Sequence, residues 1–481
     1  MRQYDVAIIG GGITGCALAF ELSRYHVKTV LLERSNDVAA GATRANSGIV
    51  HAGYDPEPGT LMAQCNVEGN ALIRELAPLL GVSYRNNGSL VVALSEEDRS
   101  QIQVLFDRGI RNGVPGLELL SGEEARRREP QLAAEVIGAL YAPTAGIISP
   151  WEFALALAET AVTNGCTFLP EYEVTGIRKE EDGFRLTSAA GQTIQSRFVV
   201  NAAGTHGDRI NDLIAPHLFE IRPSKGQYYL LDKAQGGLVG ATIFQCPSKV
   251  GKGVLVAPTV HGNLIVGPDA VNQEDPDDTA VTAQGLAFVE AQARRSVPGF
   301  NLRDSIRNFA GVRAVGERAD GRDDFIVGEA PGVAGFFNLC GIKSPGLTSA
   351  PALAKVMVEM LGAAGLALEP RADFRLCPRP HSFRTASDEE RAAMAAKDPL
   401  YGRVVCRCET VTEGEVVAAI HEPIPAVSVD GVKRRCNAGM GRCQGGFCSP
   451  RVAAILAREL DIPMAEVPQD GPGTQMLTGR M

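Results

Sequence analysis

No apolar run in this sequence approaches the roughly 20 residues that a membrane-spanning helix takes, and no internal repeat or low-complexity tract interrupts it. Basic residues are not in surplus either: 47 lysines and arginines stand against 56 acids, a net charge of −9. A nucleic-acid partner, which must be met by excess cations, is thereby excluded. The first β-rich run begins at Tyr4, which leaves no room for a charged and apolar targeting segment. The expectation is a cytoplasmic protein, peripheral to a membrane only through a partner. What the chain does have is glycine, 53 residues of it, among 45% hydrophobic residues. Glycine in such number marks tight turns and close backbone approaches, as cofactor-holding α/β proteins need. At 481 residues the length suggests about three domains.

The opening reads strand (residues 4–9), turn (10–15), helix (16–24), strand (27–32), closing on Glu33. Apolar runs without alternation suit a parallel sheet buried on both faces. Two later segments return to the same unit: 197–204, RFVVNAAG, and 336–348, FFNLCGIKSPGLT, the latter followed by a helix over 350–361. Between them, 227–231, 253–258 and 263–267 read as strands of an antiparallel sheet separated by Gly and Pro turns. From 369 to 403, proline, arginine and charged residues surround one short helical pattern at 388–397, as in a linker that runs over the surface. A cysteine-rich segment follows, and the Gly/Pro-containing tail after Val467 reads as loose.

Gly10-Gly11-Gly12-Ile13-Thr14-Gly15 is a G-x-G-x-x-G between a strand and a helix, and Glu33 follows Gly15 by 18 residues. Glycines permit the tight turn and the close approach of a pyrophosphate; the helix N-terminus offers unpaired N–H groups, and the acid accepts from ribose hydroxyls. The motif does not recur, so one dinucleotide is expected. It does not decide between FAD and NAD. Residues 39–54, AAGATRANSGIVHAGY, form a small-residue loop suited to a large planar ligand.

With that loop, the glycine turn, the strand ending NAAG and GIKSPGLT from Gly341, residues 1–360 resemble the FAD-dependent oxidoreductases of the D-amino-acid oxidase and glycerol-3-phosphate dehydrogenase superfamily. The resemblance implies that Gly10, Gly12, Thr14, Gly15, Glu33, Thr43, Asn46, Ser47, Ala203, Gly204, Gly341, Ile342, Lys343, Gly346, Leu347 and Thr348 hold FAD. It also implies that the backbone of Val174, in EYEVTGI, meets the adenine. The helix after Gly346 would then bring its N-terminus to the pyrimidine end of the flavin, where its dipole favours the anionic reduced form.

Oxidising a carbinol calls for a group that takes the hydroxyl proton, and a neutral imidazole suits that near pH 7. The resemblance places His51 beside the reactive face of the flavin; packing on the flavin or tethering it are alternative roles. Arg313, in FAGVRAV, matches an arginine that pairs with a substrate carboxylate or phosphate in related oxidoreductases, where a planar guanidinium gives two parallel charge-assisted bonds; the alternative is a structural ion pair. Lys225, Lys252 and Lys343 are further candidates to hold an anion, and Tyr54 and Tyr228 candidates to line the pocket.

Cys16, Cys65, Cys166, Cys246, Cys340 and Cys377 lie scattered and read as small buried hydrophobes. Cys406, Cys408, Cys436, Cys443 and Cys448 crowd together near the C-terminus, which in a reducing compartment suggests a metal site. Cys406-x-Cys408 and Cys443-x4-Cys448 supply four thiolates, enough for zinc or a [2Fe-2S] cluster. Zinc sites space their first pair more widely, so C-x-C disfavours zinc. The stretch from CRCETVTEGEVVAAI to RRCNAGMGRCQGGFC resembles the bacterioferritin-associated-ferredoxin-like [2Fe-2S] domain, and Gly439, Gly441, Gly445 and Gly446 let backbone N–H groups approach the sulfurs. Cys436 falls outside the spacing. Lys433, Arg434, Arg435 and Arg442 read as a basic patch that balances cluster charge, docks an acidic partner or faces solvent.

These readings imply an α/β fold: a Rossmann-like FAD-binding domain with an antiparallel-sheet substrate domain, plus a small helical cysteine-rich C-terminal domain. The expected division is an oxidoreductase over 1–368, with FAD-binding parts at about 1–85, 145–220 and 325–365. A linker over 369–403, a [2Fe-2S] domain over 404–465 and a tail over 466–481 follow. Domain order resembles the anaerobic glycerol-3-phosphate dehydrogenase catalytic subunit, while NSGIVHAGYDPEPGTL and KGVLVAPTVHGNLIVGP resemble L-2-hydroxyglutarate dehydrogenases. Both imply oxidation of a secondary alcohol on a small anionic substrate, with electrons leaving through the cluster to an acceptor protein. Oxidation of an amine or imino acid, and a pure electron-relay subunit, are the other readings.

Overall fold

Val6, Ala7 and Ile8 are fully buried, as a strand flanked by strands and covered on both faces requires. In the computed structural model, which describes residues 3–247 and 253–477, they lie on strand Gln3–Ile9 at the centre of an eight-stranded sheet. Thr29–Leu32 pairs with it on one side and Thr193–Asn201 on the other, both parallel; Thr167–Leu169 and Phe336–Cys340 extend the parallel core outward. Helices Ile13–Leu22, Pro150–Thr163 and Gly346–Ala363 supply Leu18, Phe153 and Leu353 to the core beneath this sheet.

Among the described residues the second sheet has nine strands and is mostly antiparallel. Its backbone is the long pair Phe219–Leu231 and Ser305–Arg318, in register from Phe219 opposite Arg318 to Leu231 opposite Ser305. That register sets Ser224 opposite Arg313 and Tyr228 opposite Phe309, so these four side chains are placed by one ladder. No described helix is long and apolar enough to cross a membrane.

The C-terminal unit is a short hairpin, Val404–Cys406 with Val411–Thr412, and helices Glu413–Ile420, Val429–Cys436 and Ser449–Leu460 around Val416, Val432, Val452 and Leu456. Its first helix starts at a capping box in which Thr412 and Glu415 satisfy each other's backbone N–H. Glu415 also accepts from the Phe383 N–H, which ties the preceding segment to the unit.

Two expectations change here. The segment over 369–403 contains the helix Asp388–Lys397 and runs over the surface as read, and it is pinned along its way. Arg379 is buried, donating to Glu159 (2.8 Å) on the nucleotide-binding side and to Glu422 (2.7 Å) in the C-terminal unit. Over its described residues the tail is not loose: Pro468 bridges Gln475, and Asp470 pairs with Arg434 (3.0 Å) and Arg44. Of the four cations read as a basic patch, only Arg442 is exposed. Arg434 and Arg435 are buried and grip Asp37, Arg435 in a two-pronged pair of 2.9 and 3.0 Å and Arg434 at 2.9 Å. Lys433 is turned to Asp430. An amphipathic helix buries whichever cations find an acid, and Asp37 is far away in sequence.

Burial pushes the Asp37 carboxyl up, but Arg435 and Arg434 outweigh it and hold it below its ordinary value. Removing one partner of such a buried pair strands the other charge, at a cost of about 3–5 kcal/mol. Asp37→Asn should therefore lower the unfolding free energy by about that amount at pH 7. Because the folded-state value is the lower one, this stabilisation is complete above the ordinary aspartate value of about 3.9 and fades as pH falls below it. Denaturant titrations of both proteins at neutral and acid pH check this; a difference independent of pH would contradict it.

Candidate active site and cysteine cluster

Between the two sheets lies a cavity of about 1290 Å³, more than the roughly 300–1,000 Å³ of drug-sized ligand sites, so it has room for a dinucleotide and a substrate together. One end is the glycine turn. A side-chain carbon on Gly15 would meet the Gly10 carbonyl at 1.9 Å, which is why the helix can start directly against the strand. No side chain caps Gly12 at that helix start; Thr43 Oγ1 accepts from the Ile13 N–H (2.9 Å), and Gly12, Ile13 and Thr14 face the cavity. Glu33 is buried and accepts from the N–H groups of Gly11 (2.7 Å) and Ser35 (2.8 Å); burial raises its carboxyl in spite of them. An open helix N-terminus beside an oriented acid fits the pyrophosphate and ribose of FAD.

Val174, Ala203, Gly204, Asn46, Ser47, Ile342, Lys343, Gly346 and Leu347 line the same cavity. Thr348 stands behind it, buried, with its Oγ1 accepting from the His51 N–H (2.9 Å). Gly341 adjoins the wall at positive φ.

His51 is held from several directions. Its carbonyl accepts from Asn66 (2.8 Å) and Asn70 (3.1 Å), both buried on helix Leu61–Leu79. Its Nε2 lies 3.2 Å from the Ser344 hydroxyl, and Phe244 stacks on the ring with centroids 5.8 Å apart. His51, Ser344 and Phe244 all line the cavity. Arg313 reaches in from the other sheet, donating to the Asp269 carbonyl (3.0 Å) and Ser224 Oγ (3.4 Å). Among the described residues no carboxylate forms an ion pair with it. Tyr228 lines the wall beside it, stacked on Phe309 at 4.8 Å; burial pushes its phenol up, against the opposing pull of Arg313.

Other candidates are placed elsewhere. Lys225 is buried with its ammonium 2.7 Å from Asp278 and does not line the cavity. Lys343 does line it, paired with Asp323. Tyr54 packs in the core beside Val114 and Leu117, its phenol raised by burial. Lys252 lies outside the described residues. Sequence reasoning missed Asn66, Asn70, Ser344 and Phe244. The two asparagines were detectable in principle, being polar residues four apart on an apolar helix face.

The four cysteines meet as two pairs. Cys408 Sγ lies 3.7 Å from Cys443 Sγ, and the Cys448 thiol donates to the Cys406 sulfur, holding the Cys406 thiol down to about 6 against burial. The N–H groups of Gly439 and Glu409 also point to that sulfur. Among the described residues no three His, Cys, Asp or Glu side chains gather as a single-ion site would need. Two pairs suit the two irons of a [2Fe-2S] cluster, each of which takes two thiolates. A side-chain carbon on Gly441 would meet the Cys408 Cβ at 2.3 Å, so that loop needs glycine to close. Cys436 stands apart, donating to the Val432 carbonyl, its thiol raised to about 12 by burial. Of the scattered cysteines, all but the half-buried Cys377 are buried.

Gly15→Ala should yield protein with little or no flavin, read from its visible absorbance after purification; a full complement of flavin would contradict the assignment of the turn.

The chain is 48% identical over 481 residues to a glycerol 3-phosphate dehydrogenase of Caloramator mitchellensis, covering 99% of this chain and 98% of that one. It is 29% identical to the human mitochondrial L-2-hydroxyglutarate dehydrogenase over 74% of this chain and 88% of that one. Among solved structures it matches an FAD-bound L-α-glycerophosphate oxidase from Mycoplasma pneumoniae at 32% identity and a TM-score of 0.75, covering 79% of this chain and all of that one. The family of BFD-like [2Fe-2S] binding domains matches residues 404–458. Residues 5–360 match the FAD dependent oxidoreductases, and the chain is a member of that family, carrying FAD in the N-terminal fold and a [2Fe-2S] module behind it.

Proposed function

We propose that the chain is a glycerol-3-phosphate dehydrogenase that oxidises the secondary alcohol of sn-glycerol 3-phosphate to a ketone and passes the electrons through its own cluster to a partner acceptor. The observation that carries this reading is that one cavity brings together an imidazole, His51, and a guanidinium, Arg313, with which no described carboxylate pairs. An alcohol needs a base and a phosphate needs a fixed cation; the cavity supplies both. The match to the Caloramator enzyme, which covers 99% of this chain and therefore the cysteine-rich unit, supports the choice of substrate and the involvement of the cluster.

When bound, FAD supplies the acceptor for the carbinol hydride. His51 takes the hydroxyl proton; Ser344 and Phe244 fix its ring, and Thr348 holds its backbone N–H. Arg313 holds the phosphate, and Tyr228 closes the space beside it. In this reading residues 1–368 perform the oxidation, 404–465 hold the cluster, and 369–403 join them.

Anaerobic rapid mixing tests this. Sn-glycerol 3-phosphate should bleach the flavin band, and L-2-hydroxyglutarate should do so far more slowly. His51→Ala should slow bleaching by about 10²–10⁴-fold while changing substrate affinity little. Arg313→Ala should raise the half-saturating concentration about 10–100-fold, as expected for lost charge-assisted bonds. Faster bleaching by L-2-hydroxyglutarate would move the substrate to the other alcohol, and undiminished bleaching in His51→Ala would remove the base.

A further inference from the structure

The loop over the cysteine pairs leaves Phe447 in the open. At 84% exposure it is the most exposed large hydrophobic side chain among the described residues, and it directly precedes the buried Cys448. Cys408 is itself exposed. A phenylalanine standing clear of the surface beside a redox group marks a contact site more readily than a scattered leucine does.

The side chains around these thiols are cations. Arg407 sits between Cys406 and Cys408, Arg442 precedes Cys443, and Arg451 lies three residues beyond Cys448; all three are exposed, as is Arg403. Arg407 and Arg451 make no ion pair among the described residues. Arg442 reaches Asp232 yet stays 71% exposed, and Arg403 reaches Glu413 yet stays 65% exposed. Residues 403–408 and 442–451 contain no acid at all. The next acid along the chain, Glu409, is buried and taken by Lys233 and Arg384, while the acids that approach from other elements, Asp232 and Glu413, are engaged by Arg442 and Arg403. On a chain whose net charge is −9, this is a local reversal of sign.

We infer that this face is the docking surface for an acidic one-electron carrier protein, with Phe447 as the central anchor and Arg407 and Arg451 as the steering rim. It rests on the proposed reading that substrate electrons leave through the cluster. An exposed apolar anchor and unpaired cations carried by the same cysteine-bearing segments are the composition of a protein interface with a hot spot and an electrostatic rim; a lipid surface asks for a broader apolar face. The balance is simple. Oxidising one carbinol to its ketone releases two electrons and two protons, so each turnover reduces two carriers by one electron each and frees two protons to solvent.

The test measures binding of the holoenzyme to cytochrome b5, an acidic one-electron carrier, with the basic cytochrome c as control. Cytochrome b5 should bind at about 0.02 M salt and weaken about tenfold or more by 0.2 M, because exposed charges are screened over that range; cytochrome c should not bind. Arg407→Glu/Arg451→Glu and, separately, Phe447→Ser should each weaken cytochrome b5 binding about tenfold or more, while bleaching of the flavin by sn-glycerol 3-phosphate stays unchanged. No binding, or binding that ignores these substitutions, overturns the inference. Binding to phosphatidylglycerol vesicles that is lost in the variants, with cytochrome b5 ignored, also overturns it in favour of a lipid surface. If cytochrome b5 binds as expected but substrate never reduces the cluster, the surface stands and the outward-transfer reading falls.

Discussion

Two carboxylates of the nucleotide-binding fold, Asp37 and Glu159, tie the cysteine-bearing unit to the flavin side of the molecule. Neither can be buried alone, since an unpaired charge in the interior costs far more than a fold of this size can spare. Asp37 is therefore met by the Arg434–Arg435 fork, and Glu159 by Arg379, which Glu422 also grips. Burial raises the Glu159 carboxyl, which shares this guanidinium with the Glu422 carboxylate. The result is one continuous buried network that crosses from the first sheet to the cluster-holding helices. Flavin fold and cysteine module are locked to each other as a unit.

That lock matters because of what lies on either side of it. Asp37 follows the acid that closes the nucleotide site by four residues, and Arg435 is followed by the loop that carries Cys443 and Cys448. A further contact, Lys233 on Glu409 at 2.7 Å, joins the substrate-side sheet to the residue after Cys408. A flavin in the cavity and a cluster on the cysteines would thus be held at a fixed separation by both sheets. Intramolecular transfer depends on such constancy, and a flexible tether would not give it.

Much of this was legible in the sequence because short-range chemistry writes it there. The glycine turn with Glu33, the small-residue loop around His51 and the C-x-C pair each need particular residue types at fixed spacing. The helix at Asp388–Lys397 announces itself by the Ser387–Glu390 capping box. What stayed hidden depends on partners hundreds of residues apart. Arg434 and Arg435 read as a surface patch because nothing local reveals Asp37. Lys225 read as an anion holder until Asp278 claimed it. Ser344 lay inside a recognised motif, but its hold on the His51 ring appears only once strand and loop are brought together.

The central claim is that one polypeptide both oxidises the alcohol and receives the electrons on its own cluster. Rapid freeze-quench paramagnetic resonance after anaerobic mixing with sn-glycerol 3-phosphate, repeated over a range of protein concentrations, tests it most directly. A reduced-cluster signal is expected whose rate of appearance is independent of protein concentration. A rate that scales with concentration, or a bleached flavin with no cluster signal, would contradict it.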